Sequence, residues 1–148
     1  MASRRERHVA LYTRDTDLFD QTMRYTSSGI TWEATPCAYC GDPATSEDHV
    51  YPISALTKLG PIAHRVPHEL LRIVPACMEC NLLGGKNVFQ SFEDKRLFIK
   101  YKLMKRYHHV VDSPRWSDAE IAQLRGRLHD WIANGENLRE IVFERWRF

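Results

Sequence analysis

The sequence lacks any long apolar stretch. None of its 148 residues falls in a run approaching the about 20 apolar residues that a transmembrane helix needs, so we expect no membrane span. The start of the chain is basic, with Arg4, Arg5 and Arg7, but no apolar segment of the signal-peptide type follows it. These two absences predict a cytoplasmic protein.

An excess of charge of one sign is also missing. The chain has 21 Lys and Arg residues against 19 Asp and Glu residues, which gives a formal net charge of +2. Hydrophobic residues make up 43% and charged residues 27%, as in an ordinary globular chain, which excludes a disordered or low-complexity protein. The length favours a single domain spanning residues 1–148.

Cysteine is scarce, but its few copies are regularly placed. The four cysteines form two C-x-x-C pairs, Cys37 with Cys40 and Cys77 with Cys80, separated by 36 residues. Two such turns facing each other present four thiolates as a tetrahedron, which is the geometry of structural zinc. Two disulfides or two redox motifs are the alternatives, but we see neither a secretion signal nor a thioredoxin-like strand and helix. We predict a structural Zn²⁺ at these four residues.

The chain divides into three stretches. Residues 1–36 are expected to form an N-terminal extension. Residues 37–92 contain all four cysteines and five of the seven prolines, so long regular elements are not expected there. Residues 93–148 have helical periodicity. We therefore expect an α+β fold in which C-terminal helices pack on a small cysteine-bound core.

The periodicity also predicts which faces of these helices are buried. In the first helix the residues that recur at helical spacing are Phe92, Leu97, Phe98, Tyr101, Met104 and His108. A second helix is predicted to begin at the capping box formed by Ser117 and Glu120. Its expected apolar face and end are formed by Ile121, Leu124, Leu128, Trp131, Ile132 and the terminal Gly135.

Polar residues of a particular kind flank the cysteines. Asp48-His49-Val50-Tyr51-Pro52 follows the first pair, and Asn81 directly follows Cys80 in the segment Val74-Pro75-Ala76-Cys77-Met78-Glu79-Cys80-Asn81. Lys86 comes shortly after it. Together with the two cysteine pairs, this combination resembles the HNH, or ββα-metal, endonuclease family, and specifically its zinc-containing subgroup common in phages. The resemblance covers residues 37 to about 92.

The resemblance implies a fold and an activity. The family core is a β-hairpin followed by a helix with a metal ion between them, here stapled by the four-cysteine zinc site. The activity is metal-dependent hydrolysis of DNA phosphodiester bonds, with His49 as general base and with Asp48 and Asn81 holding a catalytic Mg²⁺ or Mn²⁺. A phage-encoded chain of this kind acts in the host cytoplasm. Arg72 stands where the family has the Asn that pins the loop of the catalytic histidine.

Elementary chemistry agrees with these roles. A hard cation that binds phosphate oxygens lowers the barrier to attack on a phosphodiester, and Mg²⁺ prefers oxygen ligands such as carboxylates and amides. Zinc saturated by four thiolates has no open position for water, so the catalytic cation needs its own site. A regular strand sends adjacent side chains to opposite faces, so we expect a bulge or bend near Pro52 to bring Asp48 and His49 together.

Basic residues are concentrated in one segment. Between Lys86 and His109 there are seven basic and two acidic residues, a net charge of +5 against −3 for the rest of the chain. A solvated helix face is one explanation, and contact with a phosphate backbone is the other. For the second we predict that DNA is contacted by Lys86, Lys95, Arg96 and Lys100. Cutting both strands of a duplex would require a homodimer or two encounters.

Two other classes of function fit the sequence. One is a catalytically inactive, zinc-stabilised module that binds nucleic acid, which the departure at Arg72 favours. The other is an interaction protein in which zinc staples the fold and in which Trp116, Trp131 and Trp146 form a partner interface.

Overall fold

The computed structural model describes residues 3–27 and 30–148, and it has the mixed helix and strand content of the α+β class. The helices are α1 (Arg4–Val9), α2 (Thr16–Phe19), α3 (Ile53–Leu59), α4 (Met78–Gly84), α5 (Phe92–Val111), α6 (Asp118–Ile121) and α7 (Gly126–Arg147). The strands are β1 (Thr13–Arg14), β2 (Met23–Ser27), β3 (Ile30–Ala34), β4 (Ser46–His49) and β5 (Arg72–Ala76). Two short 3₁₀ helices, Gly60–Arg65 and His68–Leu70, connect α3 to β5.

The central sheet has the strand order β1-β5-β4. Strands β4 and β5 are antiparallel, from the pair Ser46 and Ala76 to the pair His49 and Ile73, while β1 lies parallel to β5 on its other side. Helix α4 follows β5 directly, so the chain order in this region is strand, strand, helix. The segment expected to be an N-terminal extension therefore supplies a strand of this sheet, and it also contains the separate antiparallel pair β2 and β3.

Helix α5 begins at Ser91, whose side chain accepts a hydrogen bond from the backbone N–H of Asp94 at 3.0 Å. Its buried residues are Lys95, Ile99, Leu103 and Val110. The face predicted from periodicity is wrong in part. Phe92 and Phe98 pack against the core, but Leu97, Tyr101 and Met104 are 63%, 59% and 48% exposed. The buried stripe is selected by packing against the sheet and α4, and it includes a lysine that a count of apolar residues passes over.

The capping box at Ser117 and Glu120 is present, but the helix that it begins ends at Ile121. The chain restarts a helix at Gly126, and α7 continues through Gly135 to Arg147. The predicted helix end at Gly135 is therefore wrong. The predicted apolar face is also wrong in part, because Leu128 and Trp131 are 51% and 72% exposed.

The C-terminal half of α7 is what packs against α5. Its buried residues are Arg139, Val142 and Arg145. The guanidinium of Arg139 donates to the backbone oxygens of Val110 at 3.2 Å and Ser113 at 2.6 Å, where α5 ends. A helix that continues past Gly135 gains these docking contacts, whereas one that stopped there would lose them. Among the described residues, no helix combines the length and the apolar character needed to cross a membrane.

Candidate metal centre and candidate active site

The four cysteines form one buried cluster. Their sulfur atoms all lie within 4.8 Å of one another, and the Sγ atoms of Cys40 and Cys77 are 3.7 Å apart. A zinc ion with four Zn–S bonds of about 2.3 Å separates its sulfurs by about 3.8 Å in a tetrahedron, so the cluster fits zinc. All four cysteines are free thiols, which removes the disulfide alternative. The arrangement is compatible with a structural metal such as zinc.

Two different local structures present the sulfurs. The first pair lies in a turn closed by a hydrogen bond from the N–H of Gly41 to the carbonyl of Cys37, and Gly41 has the positive φ of +77° that this turn requires. The second pair lies in the first turn of α4, where Cys77 is the N-cap and its sulfur accepts the N–H of Cys80 at 3.4 Å. The N–H of Ala38 donates to the carbonyl of Pro75 at 2.9 Å, which ties the first turn to β5.

A buried cation stands beside the cluster. Arg145 is 6% exposed and forms ion pairs with Asp42 at 3.0 Å and Glu79 at 2.7 Å. Burial opposes its charge, but the Cys40 thiolate and the two carboxylates outweigh burial and raise the pKa of Arg145. Thiols around Cys77 donate towards its sulfur and lower its pKa. Since four thiolates on Zn²⁺ carry a net charge of −2, Arg145 offsets part of it.

Asp48 points into the protein from β4. It is 5% exposed, and its Oδ2 atom accepts the O–H of Tyr39 and pairs with the Lys95 ammonium at 2.6 Å. Burial and the neighbouring Asp48 carboxylate raise the pKa of Tyr39, so its phenol remains a donor. Both contacts use Oδ2, and within residues 3–27 and 30–148 nothing hydrogen-bonds to Oδ1. Asp48 is therefore held in place through Oδ2, and its Oδ1 atom is available to bind a cation.

Asn81 lies on α4 against the same strand. Its Nδ2 atom donates to Ser46 Oγ at 3.2 Å and to the Glu47 carbonyl at 3.2 Å. Among the described residues no donor reaches Oδ1 of Asn81, the atom that a hard cation prefers. Asp48 and Asn81 thus share one pattern, in which one polar atom is fixed by the fold and one oxygen has no partner.

His49 lies on the other face of β4. The pairing of β4 with β5 continues regularly through Asp48 with Val74 and His49 with Ile73. Asp48 and His49 therefore point to opposite faces of β4. The irregularity expected near Pro52 follows the ladder, because the consecutive N–H groups of residues 50 and 51 both donate to carbonyls of the segment 70–72. The His49 ring packs edge-on against Tyr12, with ring centroids 4.7 Å apart.

The environment of His49 favours its neutral form. Burial lowers the pKa of His49, while the nearby charges of Asp48 and Glu47 act in the opposite direction. The imidazole is thus a free base at neutral pH, the form that a general base requires.

The outer edge of β4 is covered by side chains. β4 is an edge strand, and its carbonyls that face away from β5 need partners. Asn81 Nδ2 donates to the Glu47 carbonyl, and Lys95 Nζ donates to the carbonyls of His49 at 3.2 Å and Val50 at 3.1 Å. Arg72, the residue at the expected asparagine position, instead pairs with Asp15.

Three of the four predicted DNA contacts are used inside the fold. Lys95 is fully buried, so its placement on an exposed basic face is wrong. Arg96 donates to the carbonyl of Phe148, and Lys100 donates to the carbonyl of Trp146 at 3.2 Å. Both cations lie at the C-terminal end of α7, whose partial negative charge stabilises them. Burial lowers the pKa of Lys100. Lys86 is exposed, and among the described residues its side chain makes no contact of this kind.

Several residues of this region escape reasoning from sequence alone. No sequence motif or periodicity marks Tyr39, Tyr12 and Arg145, because they contact residues outside their own segment of the chain. Lys95 does leave a trace, since it precedes Ile99 and Leu103 at intervals of four residues and so shares their helical face.

No known protein family model matches this chain, and neither a curated protein nor a solved structure matches it. Its function has to be inferred from its own residues and their arrangement.

Proposed function

We propose that this chain is a metal-dependent nuclease of the HNH type that hydrolyses DNA phosphodiester bonds. The observation that carries the proposal is the pair of oxygens, Asp48 Oδ1 on β4 and Asn81 Oδ1 on α4, that have no partner among the described residues. The Asn81 amide joins the two elements, because it donates to Ser46 Oγ and to the Glu47 carbonyl. Strands β4 and β5 with helix α4 would form the ββα-metal core, and zinc would hold it closed.

Each residue has a defined task in this proposal. Asp48 and Asn81 hold the cation through their unpartnered oxygens, and Mg²⁺ or Mn²⁺ bound there supplies a Lewis acid for the phosphate. His49 accepts the proton of the attacking water. Because β4 is an edge strand, a phosphate lying along that edge faces side chains from both faces of the strand. By resemblance to the family, the products carry 5′-phosphate and 3′-hydroxyl ends.

A second candidate is a catalytically inactive, zinc-stabilised module that binds nucleic acid or a protein partner. Three observations favour it: Asp48 and His49 point to opposite faces, Lys95 already pairs with Asp48, and Arg72 is paired with Asp15. Trp131, which is 72% exposed, offers apolar surface to a partner.

Plasmid nicking separates the two candidates. The purified chain is incubated with supercoiled, linear and branched DNA in Mg²⁺ or Mn²⁺, with a chelator as the negative control. We expect His49→Ala to reduce cutting by about 100-fold or more, the usual contribution of a general base. His64→Ala is the matched control, because His64 is an exposed histidine whose ring, among the described residues, hydrogen-bonds only to the nearby Pro61 carbonyl.

Two outcomes count against the nuclease. If the wild-type chain and His49→Ala nick the plasmid equally, or if neither nicks it, the proposal is wrong. Salt-sensitive DNA binding without cutting would then support the inactive nucleic-acid-binding module. An absence of DNA binding even at low salt would support the interaction protein.

A further inference from the structure

We propose that Lys95 is a positioning residue of the candidate active site, which fixes both the Asp48 carboxylate and the backbone that carries His49. The inference rests on the proposed nuclease function and adds to it a residue from outside the motif region. Lys95 is completely buried, so it does not touch a substrate. It acts through the residues that it holds.

All the hydrogen-bonding capacity of the Lys95 ammonium is directed at this strand. An ammonium has three N–H donors. Its three acceptors are Asp48 Oδ2 at 2.6 Å, the His49 carbonyl at 3.2 Å and the Val50 carbonyl at 3.1 Å. One cation therefore joins a side chain on one face of β4 to the backbone of the residue on the other.

These contacts orient Asp48. Two donors, the Lys95 ammonium and the Tyr39 hydroxyl, hold the same oxygen, so the carboxylate cannot rotate without losing both. Oδ1 is then the atom left for a cation. Removing a hydrogen-bond partner of a metal-binding carboxylate commonly lowers the metal affinity by about 10- to 100-fold.

The same contacts hold the chain at His49. Arg72 does not do so, because its guanidinium pairs with Asp15. The carbonyls of His49 and Val50 instead receive their donors from α5. A histidine at the end of a short edge strand is kept in place by a helix that begins more than forty residues later in the chain.

Gly84 makes room for the Lys95 side chain. A Cβ added at Gly84 would lie 2.9 Å from Lys95 Cε and 3.2 Å from Ile99 Cδ1. Since Gly84 is the last residue of α4, which carries Asn81, the lysine stem also passes between the two helices at this point. Gly84→Ala therefore displaces the ammonium without removing it, which provides a second way to test its position.

The experiment measures binding of Mn²⁺ alone and the Mn²⁺ dependence of plasmid nicking. Binding is followed by electron paramagnetic resonance and by broadening of the backbone amide signals of residues 46–50 and 79–83. The variants are Lys95→Met and Gly84→Ala. Lys102→Met is the matched control, because Lys102 is on the same helix and its ammonium lies over the Phe98 ring, 5.3 Å from the ring centroid.

We expect Lys95→Met to weaken Mn²⁺ binding about 10- to 100-fold and to raise the Mn²⁺ concentration for half-maximal nicking by the same factor, with the DNA KM unchanged. Gly84→Ala should weaken binding by a smaller factor, and Lys102→Met should leave it unchanged. A purely structural role for Lys95 would not separate the metal dependence from the DNA KM in this way.

The other outcomes are distinguishable. Suppose that Lys95→Met retains its zinc and binds Mn²⁺ at least as tightly as the wild type. Lys95 then competes with the cation instead of positioning its ligand, and the inference is overturned. The proposed nuclease function is not affected by this result. If Lys95→Met does not fold, unchanged Mn²⁺ binding in Gly84→Ala overturns it. If the wild type neither binds Mn²⁺ at these residues nor cuts DNA, the proposed function fails and the inference fails with it.

Discussion

The cysteine region, residues 37–84, and the helix pair α5 and α7 are stabilised in different ways. In the first, short strands and turns converge on four sulfurs that fit one metal ion. In the second, buried or half-buried cations hold carbonyls and carboxylates, as Lys95, Lys100 and Arg145 do. A spacing of thiols predicts a site because a C-x-x-C turn fixes ligand geometry locally. A spacing of lysines does not reveal their exposure until the buried face of the helix is known.

The two regions meet at the cluster. Arg145 on α7 stands beside Cys40. The Phe148 ring packs closely on Gly41, because a Cβ added at Gly41 would lie 2.6 Å from Cδ2 of Phe148. The helix pair therefore covers the first cysteine turn, and its cations offset the charge of the thiolates. Substitution of a cysteine should therefore unfold the cysteine region, whereas substitution of a single buried cation should remove only part of the free energy of unfolding.

Cys80→Ser should have the largest effect. We expect it to abolish zinc binding and the cooperative unfolding transition, because zinc binding supplies about 10–16 kcal/mol in small zinc domains. Metal analysis and thermal circular dichroism measure both. Met78→Ala, an exposed residue in the same turn, is the control and should keep about one zinc per chain. A folded, cooperative Cys80→Ser protein would mean that the core does not depend on the metal.

Lys95→Met should come next. It leaves the Asp48 carboxylate buried without its cation, which costs about 3–5 kcal/mol of the free energy of unfolding. Urea denaturation of Lys95→Met and of the double variant Asp48→Asn/Lys95→Met measures this cost, and the double variant should recover most of it. An equal loss in both would show that packing of the lysine stem, rather than the ion pair, supplies the stability.

Arg145→Met should cost less, about 2 kcal/mol of the free energy of unfolding, because its partners Asp42 and Glu79 keep part of their exposure to water. Loss of the cation beside Cys40 should also speed the transfer of zinc to a chelator. Arg147→Met is the control, since Arg147 pairs with Glu144 at the surface. Equal zinc transfer rates in the two variants would contradict a role for Arg145 at the cluster.

His49 should titrate below its ordinary range. Burial lowers its pKa, so the neutral imidazole is favoured by folding, and the resulting stability is present above the unfolded pKa and lost as the pH falls through the folded pKa. Nuclear magnetic resonance of the ring should give a midpoint below about 6.5, the value expected for the same histidine in the urea-unfolded chain. A midpoint above that value would mean that the Asp48 and Glu47 charges dominate.

Lys86→Ala should have the smallest effect on stability, within about 0.5 kcal/mol, because Lys86 is exposed. If it contacts a DNA phosphate, the slope of log affinity against log salt should fall by about 0.9. Fluorescence anisotropy across a salt series measures the slope. An unchanged slope would mean that Lys86 does not contact a DNA phosphate.

Features that depend on neighbouring residues in the chain were predicted more accurately than features that depend on distant residues. Each C-x-x-C pair and the capping box at Ser117 depend on residues close together in the chain, and the structure contains them. The buried faces of α5 and α7 depend on distant partners, and their prediction is wrong in part. The orientation of Asp48 and His49 to opposite faces belongs to the second kind, since the pairing with β5 decides it.

By itself, the sequence determined the α+β class and the four-cysteine cluster, and it indicated the segment 48–52 with Asn81 as the candidate site, because each rests on short-range spacing. Only the tertiary structure decided that Lys95 is buried against Asp48, that Arg96 and Lys100 bind the end of α7, and that Asp48 and His49 face apart. A side chain's exposure depends on which elements pack over it, and residues distant in the chain supply those elements.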